Sequence, residues 1–157
     1  MSNGGPNGLQ GILVGHGVDI VELDDFSRLL KEPARAFLNR HFTQTELADA
    51  GGGATQIEKL AGRLAVKEAV MKALGVGWGD GIAFTDVEVV TLQSGAPTVT
   101  LHRKIGALEL ERKISGWFIS ISHTRGIAMA SAIAVCSLIN VPVESTREIS
   151  FSHGVEK

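Results

Sequence analysis

The sequence predicts one domain that mixes helices with hairpin-joined strands, and three stretches carry that prediction. The first is QIEKLAGRLAVKEAVMKAL, Gln56 to Leu74, which repeats apolar residues at helical spacing. The second is DVEVVTL, Asp86 to Leu92, which alternates as a strand and faces Thr98 to Leu101 across the turn SGAP, Ser94 to Pro97. The third is the pair WFISIS, Trp117 to Ser122, and IAMASAIAV, Ile127 to Val135, two strands around a turn at His123 to Gly126.

Composition sets the limits. A chain of 157 residues is one domain of ordinary size with short tails, and 44% hydrophobic residues with a mean hydropathy of +0.16 supply a core. A net charge of −2 gives no electrostatic case for nucleic acid or an anionic membrane surface. One cysteine, Cys136, excludes an internal disulfide and fits a reducing compartment. The start MSNGGPNG has neither the basic nor the apolar region of a signal peptide, and no run has the length of a membrane span. The expectation is a cytoplasmic protein with residues 1–10 disordered, a domain at 11–137 and a tail at 138–157, whose His153 carries no role.

In order, ILVGHGVDIV from Ile12 to Val21 reads as a strand. Leu13, Gly15, Gly17, Asp19 and Val21 share one face, and the two glycines leave room for something to approach the backbone. His16, on the other face, reads as a packed or surface histidine. Asp24 or Asp25 caps a helix to about Asn39, with Phe26, Leu29, Leu30, Phe37 and Leu38 inward and a break or kink at Pro33. Thr43 to Glu46 is a capping box opening a short helix that Gly51 to Gly53 ends; Thr55 to Glu58 is a second box opening the central helix. Gly75 stops that helix. The following GVGWGDG comes after a helix and before a strand, so it is not a nucleotide-binding fingerprint; it reads as a mobile connector, with approach of its backbone amides to a ligand as the alternative. Arg103 to Lys113 is a short helix with Ile105 and Leu108 inward.

The central helix holds the anomaly. Ile57, Leu60, Ala61, Leu64 and Met71 form one stripe, and Glu68 falls in its middle with Lys72 at its edge. On a wet surface this is an i,i+4 pair contributing about 0.2–0.5 kcal/mol. Yet Val66, Val70, Ala73 and Leu74 occupy the other sides, so little of the helix meets water. A carboxylate there needs a cation beside it. Asp19 is a second carboxylate on an otherwise apolar or bare strand face. Two carboxylates without nitrogen or sulfur ligands suit Mg²⁺, which keeps waters and completes its octahedron with substrate phosphates. Lys72 and His123 then balance phosphate charge, which suggests metal-assisted phosphoryl or pyrophosphate chemistry. No HExxH, GxSxG or CxxC is present to suggest otherwise.

Five blocks in order, VGHGVDIVEL at Val14, FTQTEL at Phe42, LAGRLAVKEAVMKALGVG at Leu60, SGAP at Ser94 and ISISHT at Ile119, resemble the holo-acyl-carrier-protein synthases, the small branch of the 4′-phosphopantetheinyl transferases. The resemblance spans about residues 12 to 136. It implies an α+β fold, a small antiparallel sheet packed on a long central helix, and a homotrimer with sites between subunits. It implies that Asp19 and Glu68 hold Mg²⁺ on the diphosphate of coenzyme A. It further implies that the serine of an acyl carrier protein attacks the β-phosphate and adenosine 3′,5′-bisphosphate leaves. Lys72 would steady the phosphate charge, and a water on the metal, or Glu68 through it, would accept the proton. Arg63 and His123 match contacts to coenzyme A phosphates, and Gly75, Pro97 and Ser122 match pocket positions.

The chain departs from the family pattern at Asp24 and Asp25, where basic residues usually dock the carrier; Arg28, Lys31 and Arg35 follow and offer a replacement. GGGATQIEK is poorer in basic residues than is usual before LAGR, which weakens the expected 3′-phosphate site. Two other readings compete: a noncatalytic trimer that binds coenzyme A or a carrier protein as a scaffold, and a structural domain in which Glu68 and Lys72 merely pair.

Overall fold

The structure, a computed structural model, describes residues 11–31, 34–53, 55–79 and 81–137. The expected disordered start, Pro33, and the tail 138–157 with His153 lie outside them. The elements run β1 Gly11–Glu22, α1 Leu23–Leu29, α2 Ala34–His41, α3 Gln44–Ala50 and α4 Gln56–Leu74; after a 3₁₀ turn at Phe84–Asp86 come β2 Val87–Thr91, β3 Pro97–Leu101, α5 Arg103–Glu111, β4 Gly116–His123 and β5 Ile127–Ser137. All described strand pairing is antiparallel, in one sheet of order β1-β5-β4 and one β2-β3 hairpin. Small antiparallel sheets packed with a long central helix are the α+β arrangement expected.

Helix α4 is the centre, and the sheet is built to let it come close. Ala128, Ala130, Ala132 and Ala134 of β5 are fully buried against it, as are Ala65, Val66, Ala69 and Val70 of the helix. Alternation puts only small side chains of β5 inward. On β1 the inward positions go further. A Cβ on Gly15 would sit 2.0 Å from the Ala73 carbonyl oxygen, and one on Gly17 1.9 Å from that of Ala69. The glycines therefore make room for the backbone of α4, which is what approaches the strand there. A register shift between Leu13 and Gly15 sets this alternation.

Helix boundaries follow local chemistry with two corrections. Thr43 Oγ1 accepts from Glu46 N at 3.2 Å and Glu46 Oε2 accepts from Thr43 N at 2.8 Å, a complete capping box. Thr55 makes no side-chain cap, so the second box does not form, and α4 begins where expected without it. Glu22, not Asp24 or Asp25, occupies the N-cap of α1, and the two aspartates lie in its first turn, where the helix dipole favours them. Of the expected inner face, Phe26 is buried but Leu29 is 52% exposed, because α1 ends at Leu29.

The opposite face of the sheet is open and carries large apolar side chains among serines. Register places Phe118, Ile133 and His16 in one outward row, Ser120, Ser131 and Val18 in the next, and Ser122, Met129 and Ile20 in a third. Ile20 is 57% and Phe118 51% exposed. His16 lies on that surface, with Nε2 3.2 Å from Ser131 Oγ.

Candidate active site

Asp19 stands two residues beyond Gly17, so the close approach that Gly17 permits brings it to the C-terminal half of α4. There Lys72 Nζ donates to Asp19 Oδ1 at 2.8 Å and to the Val18 carbonyl at 3.0 Å. Lys72 thus pairs across to β1 rather than back to Glu68 along the helix. Its charge still reaches Glu68, as does that of Asp19. Of the four side chains singled out from sequence, Asp19, Glu68 and Lys72 form one cluster.

Glu68 is half-buried. Loss of water around it pushes its carboxyl pKa up; a hydrogen bond from Trp78 opposes this, Asp19 adds to it, and Lys72 opposes it. The Lys72 ammonium is held above its ordinary range chiefly by its bond to Asp19, so it stays charged at neutral pH. Trp78 Nε1 donates to Glu68 Oε1 at 2.8 Å. By sequence Trp78 falls inside a connector, and a lone tryptophan among glycines is the available signal.

A second group sits toward the N-terminus of α4. Thr55, Glu58, Lys59, Gly62 and Arg63 line a hollow of about 280 Å³ with Ile121 and His123 of β4. Arg63 is buried, donates to the Lys59 carbonyl at 3.3 Å, approaches Asp49 at 3.7 Å, and keeps a buried Nε with no hydrogen-bond partner. His123 Nε2 lies 3.7 Å from Glu58. Arg63 and His123 therefore share the hollow, and Arg63 lies one helix turn and more before Glu68 on α4. Gly75, Pro97 and Ser122 are scattered: Gly75 caps α4 at φ 62°, Pro97 opens β3, and Ser122 points outward while Ile121 and His123 point to the hollow.

Lys67 breaks no pattern that sequence alone reveals. It is fully buried and donates to Glu46 Oε2 at 2.9 Å, to the Phe84 carbonyl at 3.0 Å and to the Val87 carbonyl. Glu46 Oε1 in turn accepts from Val89 N at 3.0 Å. This pair ties α3, α4 and β2 together behind the Glu68 cluster.

A dication fits the cluster on the chemistry of its donors. Asp19 and Glu68 offer hard oxygens only, and among the described residues no group of three His, Cys, Asp or Glu could hold a metal. A pair that leaves most positions to water and ligand phosphate is the pattern Mg²⁺ takes.

A model of the 4′-phosphopantetheinyl transferase superfamily matches residues 15–135. The holo-[acyl-carrier-protein] synthase of Magnetococcus marinus is 40% identical over 131 residues, 80% of this chain and 94% of the relative. That of Solibacter usitatus is 36% identical over 122 residues, 78% of this chain and 98% of the relative. The Neisseria meningitidis holo-[acyl-carrier-protein] synthase structure aligns with a TM-score of 0.72 at 29% identity, covering 78% of this chain and 98% of that one. The Helicobacter pylori synthase solved with coenzyme A aligns at 0.67 and 29% identity, covering 76% and 98%. Since the matched segment runs from β1 to β5 and spans nearly the full length of these relatives, the chain belongs to the holo-[acyl-carrier-protein] synthases of the 4′-phosphopantetheinyl transferase superfamily.

Proposed function

We propose that this chain transfers 4′-phosphopantetheine from coenzyme A to a serine of an apo acyl carrier protein, with Mg²⁺ held by Asp19 and Glu68. The observation that carries the reading is the meeting of Asp19, Glu68 and Lys72 at the junction of β1 and α4, in a chain of this family. The serine oxygen forms a bond to the β-phosphorus, the bond from that phosphorus to the oxygen of adenosine 3′,5′-bisphosphate breaks, and the serine proton goes to a base. Mg²⁺ in this site supplies neutralisation of charge on the diphosphate. Lys72, charged and exposed at its tip, exchanges Asp19 for phosphate oxygens and steadies the leaving group. A water in the site, or Glu68 through that water, accepts the serine proton. Arg63, with its orphaned Nε, and His123 receive further phosphate of coenzyme A in the hollow beside them.

The working form is a homotrimer with sites between subunits. The exposed Val18, Ile20, Met129 and Phe118 of the outward rows support it, since large apolar side chains gathered on one sheet face call for a cover. Ser122 on that face then belongs to the interface, which accounts for its pointing away from His123. No described helix is long and apolar enough to cross a membrane, and the place of action proposed is the cytoplasm.

Incubation with apo carrier protein, coenzyme A and Mg²⁺, followed by intact-mass measurement, tests the reaction. The carrier gains one phosphopantetheine, and chelation of Mg²⁺ abolishes the gain; binding of coenzyme A without any carrier modification would return the scaffold reading.

A further inference from the structure

The loop after α4 is held in place, and what it holds is Glu68. Gly75 ends the helix in the left-handed region, Val76 N bonds to the Met71 carbonyl at 3.1 Å, and the chain doubles back. Gly79 at φ 116° and Gly81 at φ 82° take conformations closed to other residues, and Ile82 N bonds to the Gly79 carbonyl at 2.8 Å. The turn lays the Trp78 ring on Phe84, with centroids 3.8 Å apart and planes 18° from parallel. The Phe84 carbonyl accepts from Lys67, the residue before Glu68. Lys67, Phe84, Trp78 and Glu68 thus form a closed ring of contacts, and its last link is the indole N–H on Glu68 Oε1.

We infer that Trp78 is a positioning residue for the metal site: its N–H engages Glu68 Oε1 and so leaves Oε2 as the oxygen that would ligate a cation. An indole N–H is a donor only, so this bond has one polarity and cannot be reversed. A small dication that demands near-octahedral geometry takes one oxygen from each carboxylate, whereas Ca²⁺ accepts both oxygens of one. Trp78 therefore biases the site toward the smaller ion. The inference rests on the proposed metal role of Glu68.

Trp78→Phe keeps the ring on Phe84 and deletes the donor. Calorimetry of coenzyme A binding across a Mg²⁺ series is expected to show the Mg²⁺ requirement shifted about 10- to 100-fold upward, the usual effect of losing a hydrogen bond to a metal ligand. Ca²⁺ gains on Mg²⁺ as a competitor in the same assay, which a loss of packing alone would not produce. Trp78 and Trp117 are the only tryptophans, so the Trp117→Phe protein reports Trp78 emission alone. Adding Mg²⁺ with coenzyme A should change that emission, and adding Glu68→Gln should remove the change. An unaltered Mg²⁺ series and Ca²⁺ competition in Trp78→Phe, with Glu68→Gln inactive, overturns the positioning role and leaves the metal reading standing. Parental activity in Glu68→Gln sinks the metal reading itself.

Discussion

Lys67 and Glu68 are consecutive in α4, yet Lys67 is enclosed with Glu46 and two carbonyls accepting from it, while Glu68 is half-buried with Trp78 as its one neutral donor. Burial pushes the Lys67 pKa down, and the Glu46 charge beside it pulls back. Around Glu68 the dominant effect is also burial, but the nearest charges disagree: Asp19 repels and Lys72 attracts. The lesson is that a charge whose partners are all supplied by the fold is structural, and one left partly unsatisfied beside a like charge is available for a ligand.

The largest effect that would break this comparison is on stability. Lys67→Met leaves the Glu46 carboxylate buried without its cation and should cost about 3–5 kcal/mol in urea unfolding. Adding Glu46→Gln should recover only part of it, because the amide removes the buried charge but has one oxygen for the two backbone N–H groups, of Thr43 and Val89, that the carboxylate serves. A Lys67→Met protein as stable as the parent would mean the pair contributes nothing.

Next comes the opposite split at Glu68. Glu68→Gln removes a poorly solvated charge, so the melting temperature should hold or rise. Transfer should nonetheless fall by about 10²-fold or more, the usual loss when one preorganised electrostatic partner is removed. A fall in both together would make Glu68 as structural as Lys67.

Gly17→Ala sharpens the boundary between the two roles. Its Cβ meets the Ala69 carbonyl, so strand and helix must separate at a cost of about 1–3 kcal/mol. Asp19, two residues on, should move from Lys72, and Mg²⁺-dependent coenzyme A binding should weaken with it.

The smallest effect concerns His41, stacked on Phe37 at 4.0 Å and facing Phe84 at 4.3 Å. Burial, chiefly, lowers its pKa, so the unfolded chain binds the proton more readily. Its contribution is fully favourable above about pH 6.5 and is lost as pH falls from there to the lower folded value. His41→Phe should flatten that part of the melting-temperature profile between pH 7 and 5; an unchanged slope would clear His41 of any part in it.

Local signals in the sequence were enough for the elements and for three of the site residues. Alternation and turn chemistry gave β2 to β5, and the periodicity and Gly75 gave α4 its limits. Asp19, Glu68 and Lys72 stood out because each broke an apolar pattern. What stayed hidden depended on partners far along the chain. The Glu46–Lys67 pair spans 21 positions, and Glu46 already had a local explanation in its capping box. Gly15 and Gly17 showed that something comes close, but only the fold shows that it is α4. Trp78 sat in a glycine-rich loop whose composition resembles that of a connector, although the glycines there make the turn that returns it to Glu68. The apolar outward face of β1 read like any buried strand, because alternation does not say which layer covers each side.

The central claim, that Asp19 and Glu68 together hold a dication on coenzyme A, is tested most directly by calorimetry of coenzyme A binding with and without Mg²⁺. In the parent, Mg²⁺ should tighten binding at least tenfold; in Asp19→Asn and in Glu68→Gln, both still folded, that gain should disappear. Equal affinity with and without Mg²⁺ in the parent, or a full Mg²⁺ gain in either variant, would contradict it.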